Sequence, residues 1–361
     1  MKTIKINIWL LSLFLLSACA SPSPSLEVAP TENLVSKTAT IENLQPSSET
    51  NTQTTQASLT VVSPTESFIS PTETAENLQP TSEANLQNTP LPEQKEKSYL
   101  DISYCDSGDS AQKMDIYYPT SQSSAMPLLV YIHGGGWVEG DKASGESNTF
   151  FNELLDRGYV IISLNYRLAP QHPFPAQIQD VKCAIRFIRS HASEYGIDPQ
   201  RIGAFGSSAG GHLAALLGVT SVEDGFDEGK YLDQSSRVNA VVDLFGLTDL
   251  NEYPWGGPGT AIALTFGDHP KPSEAYTLGS PVTYVSKDDP PFLIIHGDKD
   301  DTVPIQQSES FYENLRTNGV PVQFLVVKNA GHGFYPGDTS FSPDLATITR
   351  TIADFFDQHL K

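Results

Sequence analysis

The chain has 361 residues and a net charge of −21 at pH 7, a balance that repels polyanions and speaks against nucleic acid as a partner. Its length is enough for one large α/β domain with additions. Three cysteines, at 19, 105 and 183, are too few for a disulfide scaffold and lack zinc-finger spacing.

Lys2 and Lys5 precede a mostly apolar run from Ile6 to Leu16, too short to span a bilayer as a helix. The run ends in Leu16-Ser17-Ala18-Cys19, which resembles the lipobox of bacterial lipoprotein signal peptides. That resemblance implies cleavage before Cys19 and a diacylglycerol on its sulfur. Residues 1–19 are therefore expected to be a signal peptide, and the mature protein an extracytoplasmic lipoprotein held on a membrane surface by lipidated Cys19. Each buried acyl CH₂ contributes about 0.8 kcal/mol to such an anchor. An ordinary secretory signal with an incidental cysteine is the alternative, and it too takes the protein out of the cytoplasm.

Residues 20–97 are dominated by Ser, Thr, Pro, Glu, Asn and Gln. The stretch Glu42-Asn43-Leu44-Gln45-Pro46 returns 34 residues later as Glu76-Asn77-Leu78-Gln79-Pro80, with nothing helical or apolar between to make a solenoid. Such a segment buries too little apolar surface to offset the entropy of ordering it. It reads as a disordered stalk. The alternative is a repeat that binds glycan or cell wall.

At Ser98 the composition changes, and residues 98–361 read as one domain. Strands are expected at Tyr99–Tyr104, Lys113–Tyr118, Pro127–His133, Tyr159–Tyr166, Arg201–Phe205, Val238–Phe245, Phe292–His296 and Gln323–Val327. Helical spacing runs from Pro175 to Tyr195, Ser308 to Thr317 and Ala346 to His359. Strands alternating with helices imply a mostly parallel central sheet with helices on both faces, an α/β fold.

Between the fifth strand and the apolar helix that follows lies Gly206-Ser207-Ser208-Ala209-Gly210, of the form G-x-S-x-G. A serine on a sharp strand-to-helix turn is strained, and side chains two residues to either side would collide, so glycine stands there. The helix then aims its unpaired N–H groups at an oxygen that becomes negative in acyl transfer. Ser208 is the candidate nucleophile. In sheets of this type the partners follow in the order Ser, Asp, His. A loop of acids, Asp298-Lys299-Asp300-Asp301, comes after the seventh strand, and His332 lies between Gly331 and Gly333 after the eighth. His332 is read as the base and Asp300 as its orienter. Oxyanion donors are expected from Ala209 and from the glycines of His133-Gly134-Gly135-Gly136, which follow the third strand. No metal and no cofactor is called for.

With these residues the chain from about 100 to 361 resembles α/β-hydrolase esterases of the hormone-sensitive-lipase-like group. It is especially similar to bacterial feruloyl-esterase-like carboxylesterases. The likeness rests on His133-Gly134-Gly135-Gly136-Trp137, Tyr166-Arg167-Leu168-Ala169-Pro170, Asp198-Pro199-Gln200-Arg201-Ile202, Gly206 to His212 and the Asp300 and His332 loops. It implies an α/β-hydrolase fold. In that group the acid stands four residues before a proline, which selects Asp300 (Pro304) over Asp298 and Asp301. The second and third glycines of the loop, Gly135 and Gly136, are implied as donors, with Gly134 left open. The resemblance implies a serine carboxylesterase acting on small or polysaccharide-linked acetyl or feruloyl esters. A prolyl-oligopeptidase-type peptidase and a non-enzymatic binding protein on the same fold are the alternatives. Members of the group carry a sizeable N-terminal cap, whereas here only Thr248–Lys287 has room for a lid, so a small or absent cap and an open site are expected.

Other residues are given supporting parts. His133 is expected to hold the glycine loop by bonding to backbone, with Tyr166 and Arg167 beneath it. His212 is expected to pack or bond locally, and His296 to stand behind the acid. The acidic cluster lacks the ligand spacing of a calcium loop. Whether Cys105 and Cys183 pair, and whether Trp137 and Trp255 line a pocket or the core, stays open.

Overall fold

The computed structural model describes residues 98–105, 108–121, 125–145, 149–334 and 340–361. The expected signal peptide (1–19) with Cys19, and the expected stalk (20–97), lie outside the described residues. The strands are β1 (Ser98–Ser103), β2 (Lys113–Tyr117), β3 (Met126–Ile132), β4 (Val160–Leu164), β5 (Ile197–Ser207), β6 (Ala240–Leu244), β7 (Phe292–Gly297) and β8 (Val322–Val327). The helices are α1 (Thr149–Asp156), α2 (Ala176–Ser190), α3 (Ala192–Tyr195), α4 (Ala209–Val219), α5 (Ala261–Phe266), α6 (Glu274–Leu278), α7 (Gln306–Thr317) and α8 (Leu345–Leu360).

Every residue of β3, β4, β6 and β7 is buried, as expected of apolar runs without alternation that are covered on both faces. The sheet order is β1-β2-β4-β3-β5-β6-β7-β8. β1 and β2 pair antiparallel and β2 joins β4 antiparallel, while the remaining pairs are parallel. This is the α/β-hydrolase architecture. Two apolar clusters fill the two faces of the sheet: one packs residues of α2, α4 and α7, the other those of α1 and α8. α4 lies wholly inside, and its sequence is apolar or small on all sides except at His212.

The strand order decides where a site can form. The chain leaves β3 for β4 on one side, then crosses back to place β5 on the other. Ligands in open α/β sheets bind in the crevice at such a reversal, outside the carboxyl ends of the strands. Ile132 stands opposite Gly206 there, so the glycine loop and the serine turn leave the sheet side by side.

The helix expected from Pro175 to Tyr195 is interrupted. His191 departs from helical backbone between α2 and α3, and its ring stacks on Phe187. Cys105, past the end of β1, and Cys183, in α2, form a disulfide with Cα atoms 6.0 Å apart. The expected lid region, Thr248–Lys287, carries only the short α5 and α6 and a single 3-10 turn, a small cap.

Candidate active site

Ser208 has φ 56° and ψ −121°, a conformation that L-residues adopt only when the surroundings enforce it. Its N–H donates to the Leu244 carbonyl of β6 at 2.9 Å, fixing the turn against the neighbouring strand. A Cβ at Gly210 would lie 2.1 Å from the Ile132 carbonyl oxygen, and one at Gly206 would lie 2.4 Å from that of Gly210. Backbone fills the space on both sides, which is why this crossing of β5 and α4 over the end of β3 requires glycine at both positions.

The structure brings together Ser208, His332 and Asp300. His332 Nε2 is 3.0 Å from Ser208 Oγ, and His332 Nδ1 is 2.8 Å from Asp300 Oδ2. Because the carboxylate can only accept, Nδ1 carries the proton and Nε2 is left to accept from the serine hydroxyl. The Asp300 side chain is fully buried. Its Oδ1 accepts the backbone N–H groups of Thr302 at 2.9 Å and Val303 at 2.8 Å. Its Oδ2 also meets His296 Nε2 at 3.3 Å. Burial alone would raise the Asp300 carboxyl. Hydrogen bonds from His296, His332 and Val303 outweigh it and hold the group well below the usual carboxylate range.

His296 is itself fixed from both ends. Ser308 Oγ donates to its Nδ1 at 2.7 Å, and its Nε2–H faces the Val303 carbonyl at 2.9 Å. The neighbouring acids do other work. Asp298 accepts from the Asn329 N–H at 2.6 Å and pairs with Lys328, while Asp301 is exposed. Among the described residues no group of three His, Cys, Asp or Glu side chains could hold a metal ion.

Opposite the serine, Gly135 has φ 107° and its carbonyl accepts from Val138 and Glu139, each at 3.1 Å. A Cβ at Gly135 would lie 2.2 Å from the Glu139 carbonyl oxygen. The N–H groups of Gly135 and Gly136 have no partner among the described residues, and both glycines line the cavity at Ser208. The N–H of Ala209 opens α4, where no carbonyl lies one turn back to receive it. The loop is braced from below: the His133 ring stacks on Tyr166 at 4.3 Å and donates through Nδ1 to the Gly134 carbonyl at 2.7 Å. Tyr166 donates to the His133 carbonyl at 3.0 Å, and Arg167 holds the buried Asp180 through its Nε and Nη2. Burial lowers the His133 pKa, and its bond to Gly134 opposes that only in part.

The cavity over Ser208 has a volume of about 480 Å³. Val138, Glu139, Phe245 and Ala261 also line it, four residues that no motif in the sequence marks. Phe245, at φ 45°, presses its ring edge-on against His332 at 4.9 Å. In the sequence it is merely the last apolar residue of a strand, and only the positive φ turns it toward the site. Trp137 is buried in the core beneath the glycine loop, and Trp255 is exposed on the cap; neither lines this cavity. A larger depression of about 930 Å³ lies beyond the end of α4 and ahead of β6, at the amino edge of the sheet, away from all three residues.

Residues 114–315 match the family model BD-FAE. Esterase LipC of Mycobacterium tuberculosis is 34% identical over 244 residues, 63% of this chain and 58% of that protein. The chain thus spans little more than half the length of this curated relative. Among solved structures, a truncated form of a carbohydrate esterase from gut microbiota is 34% identical, with a TM-score of 0.66 over 74% of this chain and 98% of that one. An acetyl ester-xyloside bifunctional hydrolase from Caldicellulosiruptor lactoaceticus is 27% identical, with a TM-score of 0.58 over 68% of this chain and 88% of that one.

Proposed function

This chain belongs to the BD-FAE family, and we propose that it is a serine carboxylic-ester hydrolase working through an acyl-enzyme on Ser208. The observation that carries this reading is the unbroken line from Ser208 Oγ through His332 to Asp300, facing the unpartnered N–H groups of the glycine loop. His332 Nε2 takes the hydroxyl proton as Ser208 Oγ attacks the ester carbonyl carbon. Asp300 holds the imidazole in that tautomer and stabilises the imidazolium. Gly135, Gly136 and Ala209 N–H groups receive the oxyanion, and removing one such donor typically costs about 3 kcal/mol of barrier. The imidazolium returns its proton to the leaving alcohol, and water, activated by the same imidazole, releases the acid and restores Ser208.

For the substrate we infer small or polysaccharide-linked esters, acetyl or feruloyl. Support comes from the carbohydrate esterase and acetyl ester-xyloside hydrolase among the similar structures, and from a cap of only two short helices beside the cavity. We further propose that Cys19 is lipidated and holds the protein on the outer side of a membrane, on the strength of its Leu16-Ser17-Ala18-Cys19 context.

Fluorophosphonate labelling tests the reaction. Wild type is expected to be labelled and to hydrolyse p-nitrophenyl acetate but not a proline-containing amide, and Ser208→Ala to do neither. Labelling that survives in Ser208→Ala would overturn the assignment. Comparing acetyl, butyryl, octanoyl and feruloyl esters tests the substrate reading, and a preference for octanoyl would contradict it.

A further inference from the structure

The glycine loop ends in Trp137, whose φ of 62° is one of eight left-handed values not carried by glycine among the described residues. Its carbonyl accepts from the Ala169 N–H at 2.9 Å, and its buried indole Nε1–H donates to His212 Nδ1 at 3.1 Å. On the other side of the same ring, His212 Nε2 is 2.7 Å from the Gly279 carbonyl, just past α6. Indole N–H can only donate and a carbonyl can only accept. Both contacts are therefore satisfied together by one species alone, the neutral imidazole with its proton on Nε2. Burial keeps it in that state by pulling its pKa down to about 4, against the opposing bond to Gly279.

Three separate walls of the site meet at this ring. Trp137 belongs to the loop that carries Gly135 and Gly136. His212 stands one turn into α4, and its own N–H donates to the Ser208 carbonyl at 2.9 Å. Gly279 belongs to the cap, as does Phe266, which takes Trp137 edge-on at 5.1 Å and His212 at 5.8 Å. The two halves of the oxyanion site, Ala209 N–H on the helix and the glycine N–H groups on the loop, come from elements some seventy residues apart in the sequence. The β3–β5 pairing sets the two elements side by side at the sheet edge, and beyond that edge the Trp137–His212 bond links loop to helix through the core.

We propose that His212, acting through Trp137, is the positioning residue that holds the two halves of the oxyanion site at working distance. This rests on the ester-hydrolase reading above. His212 does not touch the reacting atoms. If the bond is lost, the glycine N–H groups keep their chemistry but lose their aim. The loss should therefore appear in the transition state and not in substrate binding.

The experiment compares wild type, Trp137→Phe, His212→Leu and His212→Asn with p-nitrophenyl acetate, and measures inhibition by a trifluoromethyl ketone, whose adduct with the serine places an oxyanion in the site. Trp137→Phe keeps the aromatic contacts and loses only the donor. It is expected to lower kcat by about 10- to 100-fold, to raise the inhibition constant by the same factor, and to leave KM within about threefold. His212→Leu should do at least as much. His212→Asn, whose amide oxygen can still accept from the indole, should recover a large part of the loss. Folded Trp137→Phe with wild-type kcat and inhibition constant would overturn the inference, as would a fall in kcat with no change in the inhibition constant. Should His212→Leu fail to fold, Trp137→Phe decides alone. A wild type that hydrolyses no ester and ignores the ketone would defeat the parent reading instead, so the two failures are distinct.

Discussion

Asp300 joins two histidines and two backbone N–H groups at one buried carboxylate, so its charge is fixed by its surroundings over the whole ordinary pH range. Asp300→Asn keeps the shape but allows His332 to hold its proton on the wrong nitrogen, and kcat should fall by about 10⁴-fold with KM little changed. Steady-state kinetics check this, and a loss under tenfold would contradict the role given to Asp300. A second buried acid behaves in the opposite way. Asp243, in β6 behind the serine turn, is fully buried, accepts from the Gly246 N–H at 2.9 Å through Oδ1, and has no partner for Oδ2 among the described residues. Burial raises its pKa to about 6, against the opposing pull of the Gly246 N–H and His296. In the unfolded chain an aspartate titrates near about 4. Because the folded value is the higher, the stability linked to this proton is full below about pH 4 and is lost as pH rises through about 6, on the order of 3 kcal/mol. Thermal melts across that window should slope downward in wild type and flatten in Asp243→Asn; parallel slopes would rule this out. Neither acid's environment is legible in the sequence. The choice of Asp300 over Asp298 and Asp301 rests there on the family resemblance, through the proline at 304, whereas Asp243 is a polar residue in an apolar strand whose neighbours only the sheet register reveals.

At the scale of elements, what could be read in advance is what chain-local physics dictates. Apolar runs without alternation announced β3, β4, β6 and β7, and the glycines at 206 and 210 announced the turn that a Cβ would block. The break at His191 was not legible, since helical spacing continues through it. Nor were the partners of His212. Local bonding was expected of it, and its ring instead reaches Trp137 and Gly279, 75 and 67 residues away, because the cap's path is set by tertiary packing. The disulfide is likewise a link between elements. Cys105–Cys183 closes a span of 78 residues from the end of β1 to α2, and chain entropy alone assigns such a closure on the order of 4 kcal/mol. The double replacement Cys105→Ser/Cys183→Ser should lower Tm by several degrees while leaving kcat at 25 °C near wild type, since neither residue lines the cavity. An unchanged Tm would show that the link contributes no stability.

For the molecule as a whole, the division of labour drawn from composition leads to a test of its own. If lipidated Cys19 only tethers, Cys19→Ser should move the protein from the membrane fraction to the soluble one with kcat/KM on p-nitrophenyl acetate unchanged. A Cys19→Ser protein still found wholly with membranes would contradict the anchor. Net charge of −21 keeps such a soluble form from self-association and repels anionic surfaces, so no second electrostatic anchor competes with the lipid. The central claim is narrower, that acyl transfer passes through one hydroxyl, and it can be read from mass. Turnover of p-nitrophenyl acetate quenched in acid, followed by peptide mapping, is predicted to find the acetyl group on the peptide bearing Ser208 and on no other, and to find none in Ser208→Ala. Continued hydrolysis by Ser208→Ala, or acetyl trapped on a different residue of an active wild type, would contradict the account.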